Sequence, residues 1–314
     1  MKWVPIDGLF DLRSQNVTFK GRPVPIVDAG GLEATGSAVG LVMNDQRFAG
    51  GEITAQLEFS QIGEMNACDI VFYFDPATKW FVSACIGGPG HSFAIRHWAG
   101  SWTVHGSSGL KANLVPNKKY QISVRVRGNA VSLTVDGVDV LAVTLPFSPP
   151  PSQTGIHFID DNEAKVSEFR IHTSPGRAFV VMQFSSPFNE IYEEVIRNVC
   201  AEFKIEAHRA DETYGPGLII ADIVREIAES EFVIAEITPA NPNVYYEIGY
   251  AHAINKPTIL LADSRIDKLP FDVSGFRTLM YENSIAGKRK FEESLRKHIT
   301  AILLRAPISS ARKP

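Results

Sequence analysis

Two hydrophobic periods divide the chain. From about residue 15 to residue 172 apolar and polar side chains alternate, as in Gly51-Glu52-Ile53-Thr54-Ala55-Gln56-Leu57-Glu58-Phe59 and Tyr120-Gln121-Ile122-Ser123-Val124-Arg125-Val126-Arg127. A period of two puts one face of each strand on a core and leaves the other in water, the habit of antiparallel sheets. Gly128-Asn129 and Asp136-Gly137 read as hairpin turns between strands at 120–127, 131–135 and 138–143, which makes a three-strand meander. About a dozen such strands with no helical spacing predict an all-β antiparallel sandwich, a jelly roll, because neither sheet buries its apolar face without the other.

At Thr173-Ser174-Pro175-Gly176-Arg177 the period changes. Ala178-Phe179-Val180-Val181-Met182 and Phe232-Val233-Ile234-Ala235 are unbroken apolar runs, as is 257–262, and short strands are expected near Ile205 and over 276–281. Helices are predicted between them at 187–203, 218–229, 242–254 and 288–304. Apolar strands alternating with helices mean a parallel sheet covered on both faces, and five of them predict a flavodoxin-like doubly wound α/β unit of order 2-1-3-4-5. The expected division is therefore 1–174 for the sandwich and 175–314 for the α/β unit.

Composition narrows the partners. The 314 residues are 45 % hydrophobic and 21 % charged, which excludes a disordered or collagen-like chain and accommodates two domains. No window approaches the roughly 20 apolar residues of a membrane span, and Met1-Lys2-Trp3-Val4-Pro5 lacks the apolar stretch of a secretory signal, so a cytoplasmic location is expected. With 31 basic against 35 acidic residues the net charge of −4 gives no footprint for nucleic acid or an anionic membrane, and neither is expected as a partner. Cys68, Cys85 and Cys200 form no Cys-x-x-Cys pair and have no paired histidines nearby, which argues against a disulfide framework and against a metal site. Buried thiols are expected.

Ligands of an open doubly wound sheet lie beyond the carboxyl ends of its strands. The informative loops there are Gln183-Phe184-Ser185, after the first parallel strand, and the stretch from Glu236 to Ala251, after the third. Asn241-Pro242 is an N-cap and first-turn pair, so a helix starts there. Val244, Ile248 and Ala251 then face the sheet and put Glu247 at the edge of the buried stripe. The helix dipole favours its charge and burial opposes it, and position alone leaves open a carboxylate that merely caps or pairs. Gly249 is expected to permit close backbone approach, and Tyr246 and Tyr250 to stack on a ring or bind a ribose. Asp222 reads either as a second acid or as a solvated helix carboxylate. The Tyr214-Gly215-Pro216-Gly217 loop offers N–H groups to a phosphate, without phosphate-loop or dinucleotide glycine spacing. In the sandwich, Trp80, Trp98 and Trp102 with His91, His97 and His105 read either as a sugar-stacking face or as core and strand-pair packing. No acid pair there suits a glycosidase, so recognition is favoured over catalysis.

Two resemblances bear on function. The runs "YQISVRVRGNAVSLTVDGVDVLAVTL" and "GIHFIDDNEAKVSEFRIH", whose final strand is expected to return to the first, resemble concanavalin A-like lectin and glucanase (LamG-like) sandwiches over about half the chain. That resemblance implies a binding or sensor module with a glycan or protein ligand. The run "FVIAEITPANPNVYYEIGYAHAINKPTILLA", with "FVVMQFSSPFNEIYEEVI" and "LPFDVSGFRTLMY", resembles the nucleoside 2-deoxyribosyltransferase-like and TIR-like family over about 178–303.

It implies that Glu247 attacks or stabilises the anomeric carbon while a C–N glycosidic bond breaks. Glu236 stands where such transferases carry an aspartate and is taken as a second catalytic carboxylate. Gln183, Phe184, Ser185, Asp222, Asn241, Asn243, Tyr246 and Tyr250 are taken as substrate-binding. "TPANPNVYYE" lacks the Asp-x-Gly-Thr style stretch that holds the sugar in deoxyribosyltransferases. The activity expected is an NAD⁺ glycohydrolase, a TIR-like effector of bacterial anti-phage defence with a lectin-like sensor, in which NAD⁺ is substrate and no cofactor is needed. The alternatives are a nucleoside 2-deoxyribosyltransferase of nucleotide salvage and a non-catalytic nucleotide-binding protein. A homo-oligomer is implied, since such proteins often complete the pocket across a subunit contact.

Overall fold

The computed structural model describes residues 1–22, 24–27, 33–36, 38–210, 219–266, 269, 273, 275–282 and 284–304, with the backbone alone at 24–27, 33–36 and 219. Strands are numbered along the chain. One seven-stranded sheet runs β1 (Trp3–Asp7), β6 (Val39–Phe48), β15 (Ser152–Ile159), β8 (Ala67–Asp75), β9 (Trp80–Gly87), β10 (Phe93–Trp98) and β11 (Trp102–Ser108). The other runs β14 (Val138–Thr144), β13 (Ala130–Val135), β12 (Tyr120–Arg127), β7 (Gly51–Phe59), β16 (Ala164–Thr173), β3 (Asn16–Phe19) and β2 (Phe10–Arg13). A separate pair joins β4 (Val24–Val27) and β5 (Glu33–Gly36).

All pairings here are antiparallel, and the two large sheets share one core. β7 alternates buried and half-buried residues, with Ile53, Leu57 and Phe59 inward, as its period-two sequence predicts. The N-terminal strand β1 was not foreseen by the pattern, which starts near residue 15. β16 returns to β3, the first strand of the region that starts near residue 15, and lies between it and β7, while β1, ahead of that region, pairs with β6. β15 enters the opposite sheet, so one closing strand completes each layer.

β8 is buried on both faces, because its outward residues join a second apolar cluster of Leu41, Met43, Val71, Phe74 and Phe81. Trp98 and Trp102 pack on that outer cluster, directly opposite each other across the β10–β11 pair. Trp80, His97 and His105 gather with Phe147 on the inner side. His97 and Trp98 are neighbours on one strand and must point to opposite faces. These tryptophans and histidines therefore do not form a single stacking face; they are core and cross-strand packing.

β16 ends at Thr173 and the parallel sheet begins at Gly176. Its order is β18 (Ile205–Arg209), β17 (Gly176–Val181), β19 (Phe232–Glu236), β20 (Thr258–Asp263) and β21 (Thr278–Tyr281), the winding 2-1-3-4-5. Helix α1 joins Phe188–Ile191, a π-helical turn Tyr192–Ile196 and Arg197–Glu202. The other helices named here are α2 (Ile219–Glu229), α3 (Pro242–Ala253) and α4 (Ile285–Leu303). α1 and α4 cover one face through Ile196, Phe291 and Leu295, and α2 and α3 the other through Ile227, Val244 and Ile248. α4 starts three residues before the expected 288, because Ser284 caps it, its Oγ accepting from the Gly287 N–H at 3.0 Å. Among the described residues no helix is long and apolar enough to cross a membrane. All three cysteines are buried free thiols.

Candidate functional site

A cleft of about 1150 Å³ opens beyond the carboxyl ends of β17 and β19, where the winding reverses direction. Met182, Gln183 and Phe184 line it after β17, Ala210 follows β18, Ile220 and Ile223 come from α2, and Asn241, Asn243, Val244, Tyr246 and Glu247 come from the start of α3. The sequence fixes the last group locally. Asn241 Oδ1 accepts from the Asn243 N–H at 3.0 Å and Pro242 occupies the first turn, so α3 begins at the cleft and must turn Glu247 inward with Val244 and Ile248.

Glu247 is only 9 % exposed, and among the described residues no hydrogen bond or ion pair reaches its carboxylate. Burial pushes its pKa up to about 7. The cleft walls are mostly apolar, and Glu247 is the one acidic or basic residue among the described lining residues. Tyr246 stands exposed at the rim.

Glu236 lies elsewhere. It is buried, with Oε1 accepting from the Tyr281 hydroxyl and Oε2 from the Thr238 N–H, both at 3.0 Å, and burial still pushes it to about 7. Along β19, Phe232 and Ile234 face α1 and α4 whereas Val233 and Ala235 face α2 and α3. The alternation sends Glu236 to the α1 and α4 face with Tyr281, away from Glu247. The two carboxylates read together in the sequence are thus on opposite faces of the sheet.

Of the other expected contacts, Gln183, Phe184, Asn241, Asn243 and Tyr246 come together in the cleft. Ser185, Asp222 and Tyr250 fall outside its described lining. The Ser185 carbonyl starts α1 by accepting from the N–H groups of Phe188 and Asn189. Asp222 pairs with Arg225 at 2.6 Å, and Tyr250 packs in the apolar layer beneath α3. The Tyr214-Gly215-Pro216-Gly217 loop lies outside the described residues. Gly249 is exposed and a side chain built on it would meet nothing within 4 Å, so the expected close backbone approach is absent.

One residue beside the cleft had no sequence signal. Arg209, at the end of β18, is buried with its guanidinium 5.2 Å from the Phe184 ring and 4.7 Å from the Tyr192 ring, and it donates to Asn189 Oδ1 at 2.8 Å. A lone arginine closing a short mixed strand carries no pattern to read.

The sandwich holds a different kind of buried carboxylate. Asp69 on β8 accepts a bidentate pair from Arg96 at 2.8 and 2.6 Å, a bond from Ser83 Oγ at 2.9 Å, and faces His157 Nδ1 at 2.9 Å. Burial works against its charge, but the Arg96 guanidinium and His157 outweigh it and hold the carboxyl well below the usual range. The Arg96 guanidinium in turn lies 3.7 Å over the Trp102 ring.

No family model matches the chain, and no curated protein matches it. Among solved structures, the carbohydrate-binding module CBM66 from Bacillus subtilis is 13 % identical, covering 55 % of this chain and 93 % of its own, with a TM-score of 0.40. The laminarinase catalytic domain from Thermotoga maritima MSB8 is 9 % identical over 53 % of this chain and 89 % of its own, with a TM-score of 0.39. The Bacillus licheniformis β-glucanase is 9 % identical over the same shares, with a TM-score of 0.36. The chain is similar to these β-sandwich proteins over about half its length.

Proposed function

We propose that the α/β half cleaves the N-glycosidic bond of a nucleotide, with NAD⁺ as the leading substrate, and that Glu247 is its catalytic carboxylate. The observation that carries this reading is a buried Glu247 with no partner among the described residues, set in mostly apolar walls at the point where the winding reverses. Breaking the C1′–N bond sends the bonding electrons to the base and leaves positive charge on C1′ and the ring oxygen. A carboxylate in a dry cleft meets that charge either by bonding to C1′ or by electrostatics, and water then takes C1′ and loses a proton. Nicotinamide departs from NAD⁺ as a neutral molecule and needs no proton from the protein, so one carboxylate suffices. This reading leaves Glu236 outside the reacting centre.

The family assignment carried by the "NPNVYYEIGYAHA" run, TIR-like and deoxyribosyltransferase-like, belongs to this proposal, as do a role in bacterial defence, a homo-oligomeric state and a glycan-sensing sandwich. A second reading, deoxyribosyl transfer between bases, is favoured by one observation: among the described lining residues there is no lysine or arginine to meet a pyrophosphate. The test is chromatographic. The protein is incubated at several concentrations with NAD⁺, and in parallel with a deoxynucleoside plus a second free base. Nicotinamide release that is lost in Glu247→Gln is the expected result. Exchanged deoxynucleoside without nicotinamide selects the second reading, and neither product at any concentration overturns both.

A further inference from the structure

The turn between β12 and β13, Gly128-Asn129, leaves the sandwich and enters the α/β half. Asn129 is fully buried and every polar group it carries is engaged. Its N–H donates to the Ala228 carbonyl at 2.9 Å, and its Nδ2 donates to the carbonyls of Leu145 and Ile254 at 2.9 Å each. Its Oδ1 accepts from Ser148 Oγ, and its carbonyl accepts from the Leu145 N–H at 2.9 Å. Ala228 is in the last turn of α2 and Ile254 caps the end of α3. One sandwich residue therefore ties together the carboxyl ends of two α/β helices.

Two neighbours reinforce the tie. Lys256, just past α3, donates from Nζ to the Ala228 carbonyl at 3.0 Å and to the Ser230 carbonyl. Asn255 Nδ2 donates to the Pro146 carbonyl of the sandwich at 3.0 Å. Gly128 has φ +53°, and a side-chain carbon there would stand 2.6 Å from the Ala228 carbonyl oxygen and 2.7 Å from Lys256 Nζ. Only glycine brings the turn this close.

The opposite ends of the same two helices wall the cleft, through Ile220 and Ile223 on α2 and through Asn243 and Glu247 on α3. α2 and α3 contact each other, and with 11 and 12 residues they are about 16 and 18 Å long. Packed helices of this kind move as rigid bodies, by about 1–2 Å, without losing their packing.

We infer that the Gly128-Asn129 turn is a clamp that sets the spacing of α2 and α3, and through them the width of the cleft at their far ends. The sandwich then controls the cleft's shape from behind, and anything that displaces the β12–β13 hairpin changes it. The clamp acts on the geometry of the cleft, whatever reaction Glu247 performs.

Spin labels on Ile220→Cys and Tyr246→Cys test it in the full chain, both sites being exposed and the three native cysteines buried. Asn129→Asp keeps the side-chain shape but turns an acceptor toward the carbonyls of Leu145 and Ile254. The expected result is a shift or broadening of the inter-label distance by about 1–2 Å. With it, hydrogen exchange over 219–226 and 242–249 rises roughly tenfold while 51–59 in the sandwich core is unchanged. An unaltered label distance, with faster exchange confined to 227–231 and 253–257, overturns the clamp. Should Asn129→Asp fail to fold, Asn255→Gly removes the bond to Pro146 and suits the positive φ of 51° at that position, and the same two readouts decide, with a smaller shift in the same direction expected.

Discussion

Asp69 in the sandwich and Glu247 in the α/β half are both carboxylates taken out of water, and their surroundings treat them in opposite ways. Asp69 is met by a bidentate arginine, a serine hydroxyl and a histidine, and stays ionised. Glu247 is met by no partner among the described residues and is pushed to about 7. A compensated buried charge holds strands together, whereas an uncompensated one is kept at a cost to stability, which is why perturbed groups in clefts mark sites of chemistry. Glu236 falls between these two, satisfied by Tyr281 and Thr238 yet still raised to about 7.

The largest expected effect breaks the compensated side. Asp69→Asn leaves the Arg96 guanidinium, only 3 % exposed, without its counter-charge. Losing one member of a buried pair costs about 3–5 kcal/mol, so urea unfolding at pH 7.5 should show a loss of that size. A loss below about 1 kcal/mol would mean that His157 and Trp102 hold the network without Asp69. Glu247→Gln, measured the same way, should be neutral or stabilising.

Next in size is the effect of Glu247→Gln on turnover. Removing the principal charge-stabilising group should lower nicotinamide release by about 10² or more, equivalent to about 2.7 kcal/mol. Because the ionised form is the working form, parent activity should rise with pH through about 7 and then level off. An activity that falls over that interval would assign Glu247 to proton donation instead.

The sequence shows these two carboxylates unequally, and the reason is distance along the chain. Glu247 was legible because Val244, Ile248 and Ala251 mark one helix face within eight residues and Asn241-Pro242 fixes where the helix begins. The parallel winding was legible for the same reason, since β17, β19 and β20 each carry an unbroken apolar run. The Asp69 network joins residues 14, 27 and 88 positions from it on four strands, and no local period encodes that. Glu236 is only half legible: its nearness to the loop after β19 is visible in sequence, but the face it points to is set by packing against Tyr281. For the tryptophans of β10 and β11 the sequence left stacking face and strand-pair packing both open, since composition shows aromatic density and only register shows which face holds it.

A smaller effect separates the carboxylates by sign. Glu247 has a folded pKa of about 7 against 4.5 for an ordinary glutamate, so between these values the folded state binds more protons than the unfolded. Its contribution to stability is full below about 4.5 and is lost as pH rises through about 7. Asp69, held below 3.8, contributes above that value and loses its contribution as pH falls. Urea unfolding at pH 5.5 and 8.5 should therefore show a fall in the parent that is smaller in Glu247→Gln by about 1–3 kcal/mol, Glu236 accounting for part of what remains. Equal falls in the two proteins would show that Glu247 is better solvated than its burial suggests.

The smallest effect asks whether the burden on α3 is Glu247 alone. Gly249 sits in the helix interior two residues beyond it, without a positive φ and with open space where a side chain would stand. Glycine there costs helix stability through backbone entropy and gains nothing from close packing, so Gly249→Ala should stabilise the protein by about 0.5–1 kcal/mol. The added methyl points away from the cleft lining, and neither the pH dependence of Glu247 nor nicotinamide release should change. Stabilisation with unchanged activity would separate the firmness of the helix from the strain of the buried carboxylate. A gain in stability accompanied by lost turnover would instead show that α3 must flex at Gly249 for Glu247 to work, making the glycine part of the site that the static packing leaves out.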